Sequence, residues 1–175
     1  MTAHVAVVGP SGAGKDTLIA AALAARPDLS PLRRVITRPA DSGGEDFEGV
    51  SPGEFARMRA EGRFLLDWQA HGLSYGLPRD AFYGGPKLIN LSRRILPRAA
   101  AALPGLRVIH VSARPEILAQ RLAARGREDA AQIAARIARD VGDLPLDLPV
   151  IHIDNSTTIE AATADFLAAL EKVTA

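Results

Sequence analysis

The feature that most restricts this chain is a glycine-rich loop, Gly9-Pro10-Ser11-Gly12-Ala13-Gly14-Lys15. It lies between a short β-branched run, Ala3 to Val8, and an apolar helical stretch, Thr17 to Ala25, that Pro27 closes. A strand that turns through G-x-x-x-x-G-K into a helix is the setting in which that pattern has a physical meaning. Glycines let successive backbone N–H groups turn inward with no Cβ in the way, and the helix N-terminus adds partial positive charge. Such a loop cradles phosphate, and Lys15 has the reach to neutralise the outer oxygens of a polyphosphate.

The loop departs from the strict pattern at one place: Asp16 stands where Ser or Thr ordinarily follows the lysine. Asp16 and Thr17 are both hard-oxygen donors suited to Mg²⁺, directly or through water. Asp16 equally suits the first turn of a helix, where an anion meets the positive end of the macrodipole. Both readings stay open at this point.

Further short apolar runs at Lys87 to Leu91, Leu106 to Val111 and Val150 to Ile153 read as buried strands. Each is followed by a helical pattern, at Arg93 to Leu103, Pro115 to Arg125 and Thr157 to Val173. This alternation predicts an α/β fold with a central parallel sheet and helices on both faces. Residues 31–80 break the rhythm with Gly, Pro and charge, and concentrate Phe47, Phe55, Phe64, Trp68 and Tyr75, as expected of an inserted substrate subdomain. Residues 125–140 place Arg125, Arg127, Arg136 and Arg139 on a helical pattern, as expected of a lid. With 175 residues, 47% of them hydrophobic, residues 1–175 are expected to form one domain around one main core.

Lys plus Arg number 21 against 20 for Asp plus Glu, so the broad positive field needed for nonspecific nucleic-acid or membrane binding is missing. Any anion site must be local. The absence of Cys excludes disulfides, thiol nucleophiles and Cys-ligated zinc. No run is long and apolar enough to span a bilayer and no export signal opens the chain, so a soluble, cytoplasmic protein is expected.

Taken in order, other motifs resemble the guanylate kinase superfamily of P-loop kinases. They are Thr37-Arg38-Pro39, Gly44-Glu45-Asp46-Phe47 leading to Val50-Ser51, Gly62 with Phe64, His71-Gly72 with Tyr75-Gly76, and Arg121-Leu122, Arg125-Gly126 and Arg136. The resemblance spans nearly the whole chain, and its departures narrow it. Guanylate kinases carry a Glu after the Gly-x-Phe-x step and a Ser or Thr after Tyr-Gly to read the base; Leu66 and Leu77 stand there, which would leave guanine donors unpaired. Phe47 replaces a phosphate-binding Tyr, and Ala40-Asp41-Ser42-Gly43 lacks the usual second Arg. Gly14-Lys15-Asp16, Ile36-Thr37-Arg38, Trp68-Gln69-Ala70-His71-Gly72-Leu73 and Asn90-Leu91-Ser92-Arg93 resemble instead the ribose 1,5-bisphosphate phosphokinases of phosphonate breakdown.

That resemblance implies a P-loop kinase that uses ATP and Mg²⁺, with the loop and Asp16-Thr17 as its nucleotide site. Arg38 becomes a clamp on the acceptor phosphate, its planar fork suited to paired oxygens, with Glu45 and Tyr75 as further substrate contacts. Arg121 is implied to stack on adenine, Arg125 and Arg136 to reach the transferring phosphates beside Lys15, and Asn155 to lie near adenine. Asn90 and Ser92 end a predicted strand at the carboxyl edge, where open α/β sheets bind ligands, and Arg93 brings a charge for a second phosphate. Competing readings stand beside several of these. Asn90 suits a strand-terminal turn, and the Asn155-Ser156-Thr157-Thr158 cluster suits a helix cap. Arg127 and Arg139 suit a solvated helix face, Trp68 suits the core, and His4, His110 and His152 suit packed strand positions.

The implied reaction moves the terminal phosphoryl group of ATP onto ribose 1,5-bisphosphate, giving ADP and 5-phospho-α-D-ribose 1-diphosphate. Its nucleophile is a phosphate oxygen already ionised at neutral pH, which needs orientation and charge screening more than a base. No triad or acid/base pair is therefore expected. Two other readings compete: a guanylate or other nucleoside monophosphate kinase, and a non-catalytic guanylate kinase-like interaction module.

Overall fold

The computed structural model describes residues 3–139, 144 and 148–175. In chain order its elements are β1 (Val5–Val8), α1 (Lys15–Ala25), β2 (Ser30–Pro31), β3 (Arg34–Ile36), β4 (Phe47–Gly49), α2 (Pro52–Ala60), β5 (Phe64–Ala70) and β6 (Leu73–Pro78). They continue with β7 (Lys87–Asn90), α3 (Leu96–Ala102), β8 (Arg107–Ser112), α4 (Pro115–Ala124), α5 (Ala130–Arg139), β9 (Val150–Asp154) and α6 (Ile159–Thr174).

β1 occupies the middle of a five-stranded sheet in the order β2-β7-β1-β8-β9, with every pairing parallel. Its four residues are fully buried, because both sheet faces are covered, and this is why the strand reads as an unbroken apolar run. Val5 and Val7 face Leu18 and Ala22 of α1 and Phe166 and Leu170 of α6. Ala6 and Val8 face the opposite way, toward Ile89, Leu96 and Ala99 and toward Leu66, Trp68 and Leu77 of the 31–80 segment.

That segment folds around a second sheet, ordered β4-β3-β6-β5. β5 and β6 form an antiparallel hairpin closed by His71-Gly72, whose φ angles of 52° and 73° are the double positive pair that a tight two-residue turn matches to strand twist. α2 is capped by the Ser51 hydroxyl, which accepts from the Glu54 N–H, and Pro52 opens its first turn. Phe55 of α2 stacks on Phe64 at 4.7 Å, closing a small separate core with Val35 and Met58.

The helix expected over Arg93 to Leu103 begins instead as a 3₁₀ turn, Arg93–Ile95, and becomes α-helical only from Leu96. Pro97 explains the break, since a continuous α-helix would drive its ring against the carbonyl four residues earlier. The cap of α6 is Thr158, the last residue of the Asn155-Ser156-Thr157-Thr158 cluster expected to cap it, whose hydroxyl accepts from the Ala161 N–H at 3.2 Å. α5 falls within the stretch expected as a lid; Asp140, its last expected residue, lies outside the described residues. No helix among the described residues is long and apolar enough to cross a membrane.

Phe166 is the largest side chain with no exposure at all. Phe166→Ala should lower the unfolding free energy by about 3–5 kcal/mol, measured by denaturant titration with the far-ultraviolet spectrum as readout.

Candidate active site

The glycine loop leaves β1 directly under the neighbouring strand. A Cβ on Gly9 would lie 1.9 Å from the Val111 carbonyl oxygen of β8, so no other residue fits at this exit. Gly14 has φ 89°, and a Cβ there would meet the Asn155 side-chain nitrogen at 2.4 Å. Asn155 is buried to 2% exposure and donates from Nδ2 to the Ala13 carbonyl at 2.8 Å. Arg121 donates to the Gly12 carbonyl at 3.2 Å and to the Asn155 carbonyl at 2.7 Å. Arg121 and Asn155 therefore sit behind the loop as braces on its carbonyls. Lys15 Nζ donates to the Gly9 and Pro10 carbonyls at 2.7 and 3.1 Å.

In front of the loop opens a cleft of about 580 Å³, within the ordinary range for small-molecule sites. Gly9, Ser11, Gly12, Gly14 and Lys15 form one wall, continued by Asp16 and Thr17 at the start of α1. Asn90, Ser92 and Arg93 enter from the carboxyl end of β7, Arg125 and Arg136 from the end of α4 and from α5, Tyr75 from β6, and Glu45 from the bend ahead of β4. Asn90 Nδ2 donates to Asp16 Oδ1 at 3.0 Å, joining the β7 edge to the helix start. Arg136 pairs with Glu128, which holds its guanidinium at the cleft rim. Phosphate-binding backbone, cations on three sides and two carboxylates thus share one cavity.

Several curated proteins similar in sequence to this chain are named for a ribose 1,5-bisphosphate kinase activity. The chain is 47% identical over 172 residues to the ribose 1,5-bisphosphate phosphokinase PhnN of a Ruegeria species, covering 95% of this chain and 90% of that one. It is 48% identical over 176 residues to the protein of that name from Brucella melitensis, covering 97% and 92%. The chain belongs to the ribose 1,5-bisphosphate phosphokinase family. A further relative, the bifunctional ribose 1,5-bisphosphokinase-thymidine phosphorylase of Cupriavidus necator, is 48% identical over a region that is 94% of this chain and 28% of the longer protein. Among solved structures, a guanylate kinase from Anaplasma phagocytophilum aligns with a TM-score of 0.67 at 18% identity, covering 99% of this chain and 86% of that one, which establishes the shared fold. A gluconokinase from Sinorhizobium meliloti aligns with a TM-score of 0.57 at 16% identity, covering 99% and 94%. No family model matches the chain.

The two leucines expected at the base-reading places of the guanylate kinase pattern are core residues. Leu66 and Leu77 are buried at 6% and 0% exposure in the cluster under the sheet. Asp67, one position along, faces the other way and pairs with Arg59 at 3.1 Å. Arg38, expected as an acceptor clamp, instead lies over the Phe47 ring at 4.3 Å, donates to the Gly43 carbonyl, and lines a separate shallow cleft with Thr37 and Ser51. Trp68 is buried as expected, and its edge also reaches the main cleft. Sequence reasoning missed Arg34 and Arg94 on that cleft and assigned Arg139 to a solvated face, although it too lines the cavity. For Arg34 the available signal was position, as the first residue of the short strand β3 that leads into Thr37-Arg38.

Behind the cleft, His110 of β8 and His152 of β9 stand side by side, their Nδ1 atoms 3.2 Å apart. Burial pushes the His110 pKa down from 6.5 to about 4, with the nearby charges of His152, Arg93 and Lys15 acting in the same direction. Its folded value is depressed, so between the two values the unfolded chain binds a proton that the native protein refuses. Stability is thus complete above pH 6.5 and declines as pH falls toward 4. The melting temperature should drop more steeply between about pH 7 and pH 5 in the native protein than in His110→Gln, measured by calorimetry at both pH values.

Proposed function

We propose that this protein transfers the γ-phosphoryl group of ATP to ribose 1,5-bisphosphate, yielding ADP and 5-phospho-α-D-ribose 1-diphosphate. The observation that carries the reading is the single cleft that joins the glycine loop to an arginine-rich wall, with the base-reading positions withdrawn into the core. The names carried by relatives at this level of identity support the same acceptor.

In this reading the loop from Gly9 through Thr17 holds the ATP phosphates. Arg121 and Asn155 support it from behind, on the side where adenine binds. Lys15, Arg125 and Arg136 match the charge that develops between donor and acceptor oxygens. Asn90, Ser92 and Arg93 orient the acceptor at the strand edge, with Glu45 and Tyr75 on the opposite wall. Arg38 reaches this acceptor only if the second sheet moves toward the loop, the kind of closure that also excludes water from transferable phosphate.

Asp16 and Thr17 supply hard oxygens at the helix start, and no cluster of three or more acidic or His ligands exists among the described residues. That donor set fits Mg²⁺, an ion held by one or two protein oxygens plus substrate phosphates, which when bound draws charge from the β and γ oxygens. The acceptor nucleophile is an ionised phosphate oxygen, so the side chains named here orient and screen it and remove no proton.

A coupled ADP-release assay tests the reading. Ribose 1,5-bisphosphate should be turned over with a kcat/KM at least about a hundredfold above that for GMP, because GMP finds no partner for its base edge. Robust GMP turnover rejects the assignment. Lys15→Ala should lower kcat by about a hundredfold or more while the melting curve stays intact.

A further inference from the structure

Within the proposed kinase site, we infer that Glu45, held in place by Arg34, reads the vicinal hydroxyls of the acceptor's ribose ring and makes the enzyme selective for ribose over deoxyribose phosphates. This rests on the sugar bisphosphate reading of the site and goes on to assign the part of the acceptor that carries no charge.

The cleft has two chemically different ends. Lys15, Arg93, Arg125 and Arg136 gather around the loop, where phosphate groups belong. On the wall formed by the second sheet, the Arg34 guanidinium is already matched by a carboxylate: its Nε donates to Glu45 Oε2 at 3.0 Å and its Nη2 pairs with Oε1. The two side chains are only 9% and 18% exposed. Separating a charge pair at that depth is costly, so Arg34 stays with Glu45 and offers no net charge to a phosphate.

Glu45 is the more exposed partner and lines the cavity. An ionised carboxylate has about four lone-pair sites, and the bidentate Arg34 contact occupies two of them. The remaining sites accept hydrogen bonds, and they repel phosphate. The donors that a sugar bisphosphate offers are its two ring hydroxyls, which lie on the same face of ribose and suit one carboxylate.

The wall behind this pair is rigid. The Arg34 guanidinium lies over the Tyr75 ring at 5.1 Å, and Tyr75 stacks on Trp68 at 5.4 Å with planes 7° apart, so one row of side chains crosses β3, β6 and β5. Fixed aromatic surface beside a fixed carboxylate matches the mixture of C–H and O–H groups around a sugar ring. A hydroxyl-reading site set this firmly rejects the analogue that lacks the hydroxyl, since the buried acceptor is then left unpaired. Arg34 is thus a positioning residue, and Glu45 a specificity residue that touches substrate.

The test compares ribose 1,5-bisphosphate with its 2-deoxy and 3-deoxy analogues in the same ADP-release assay, using the native protein and Glu45→Gln. In the native protein, removing at least one hydroxyl should lower kcat/KM by about tenfold or more. In Glu45→Gln that ratio should shrink to within about threefold, through a loss confined to the parent substrate. If the native enzyme handles parent and both analogues within about threefold, the inference is overturned. It is equally overturned if Glu45→Gln slows all three substrates by one common factor, since Glu45 would then serve only to hold Arg34. Should Glu45→Gln fail to fold, the native comparison decides alone. No turnover of the parent by the native enzyme is a separate result, and it defeats the proposed kinase function itself.

Discussion

The close passage of the Gly9 backbone beneath the Val111 carbonyl is the constraint on which the site depends. The chain must leave the central strand, turn within van der Waals contact of its neighbour, and enter α1 with its amides facing outward. Any Cβ at Gly9 would push the turn away from β8, and one at Gly14 would displace Asn155. Asn155 and Arg121 then tie the outer carbonyls of the loop to the ends of β9 and α4. The phosphate cradle is thus an extension of the parallel sheet, held by the same strands that bury Val5 to Val8. Rigid support of this kind lets short-range dipoles act on a phosphate without reorganising.

A second consequence concerns how one cavity treats cations. Arg125 and Arg136 line the cleft near the loop, Arg136 held there by Glu128, whereas Arg34 has its charge cancelled by Glu45 in a more buried pair and its face covered by Tyr75. The same residue type therefore serves two purposes, set by its partner. Arg38 shows a third case, since its guanidinium lies on the Phe47 ring and reaches the Gly43 carbonyl, outside the main cleft.

What was legible in the sequence follows from the range of the forces involved. The sheet strands and their helices were readable because burial on both faces imposes unbroken apolar runs, and the loop because its glycines answer local steric demands. Asn90, Ser92 and Arg93 line the cleft as expected because they lie at or just after the carboxyl end of β7, and Asp16 because it directly follows the glycine loop. Arg34 was missed for the opposite reason. Its role depends on Glu45, in the bend just ahead of β4, and on Tyr75 from β6, contacts made through the fold. The positions of Arg121 and Asn155 behind the loop likewise depend on how separate elements meet, whereas the cap of α6 within residues 155–158 is a local bond and was readable.

The carboxylates complete the chemical argument. Asp16 and Glu45 both line the cleft, and each has a fixed partner: Asn90 for the first, Arg34 for the second. A kinase acting on an alcohol needs an acid group aimed at the hydroxyl that loses its proton. A kinase acting on a phosphate has no such requirement, because its nucleophile arrives ionised, and its problem is the repulsion between two polyanions. Cations distributed over three walls are the arrangement that the second problem demands, while Asp16 is bonded to Asn90 at the helix start and Glu45 stands on a different wall from the loop. The same logic places the neutralised end of the cleft against the uncharged ring of the acceptor, where additional positive charge would favour the wrong orientation.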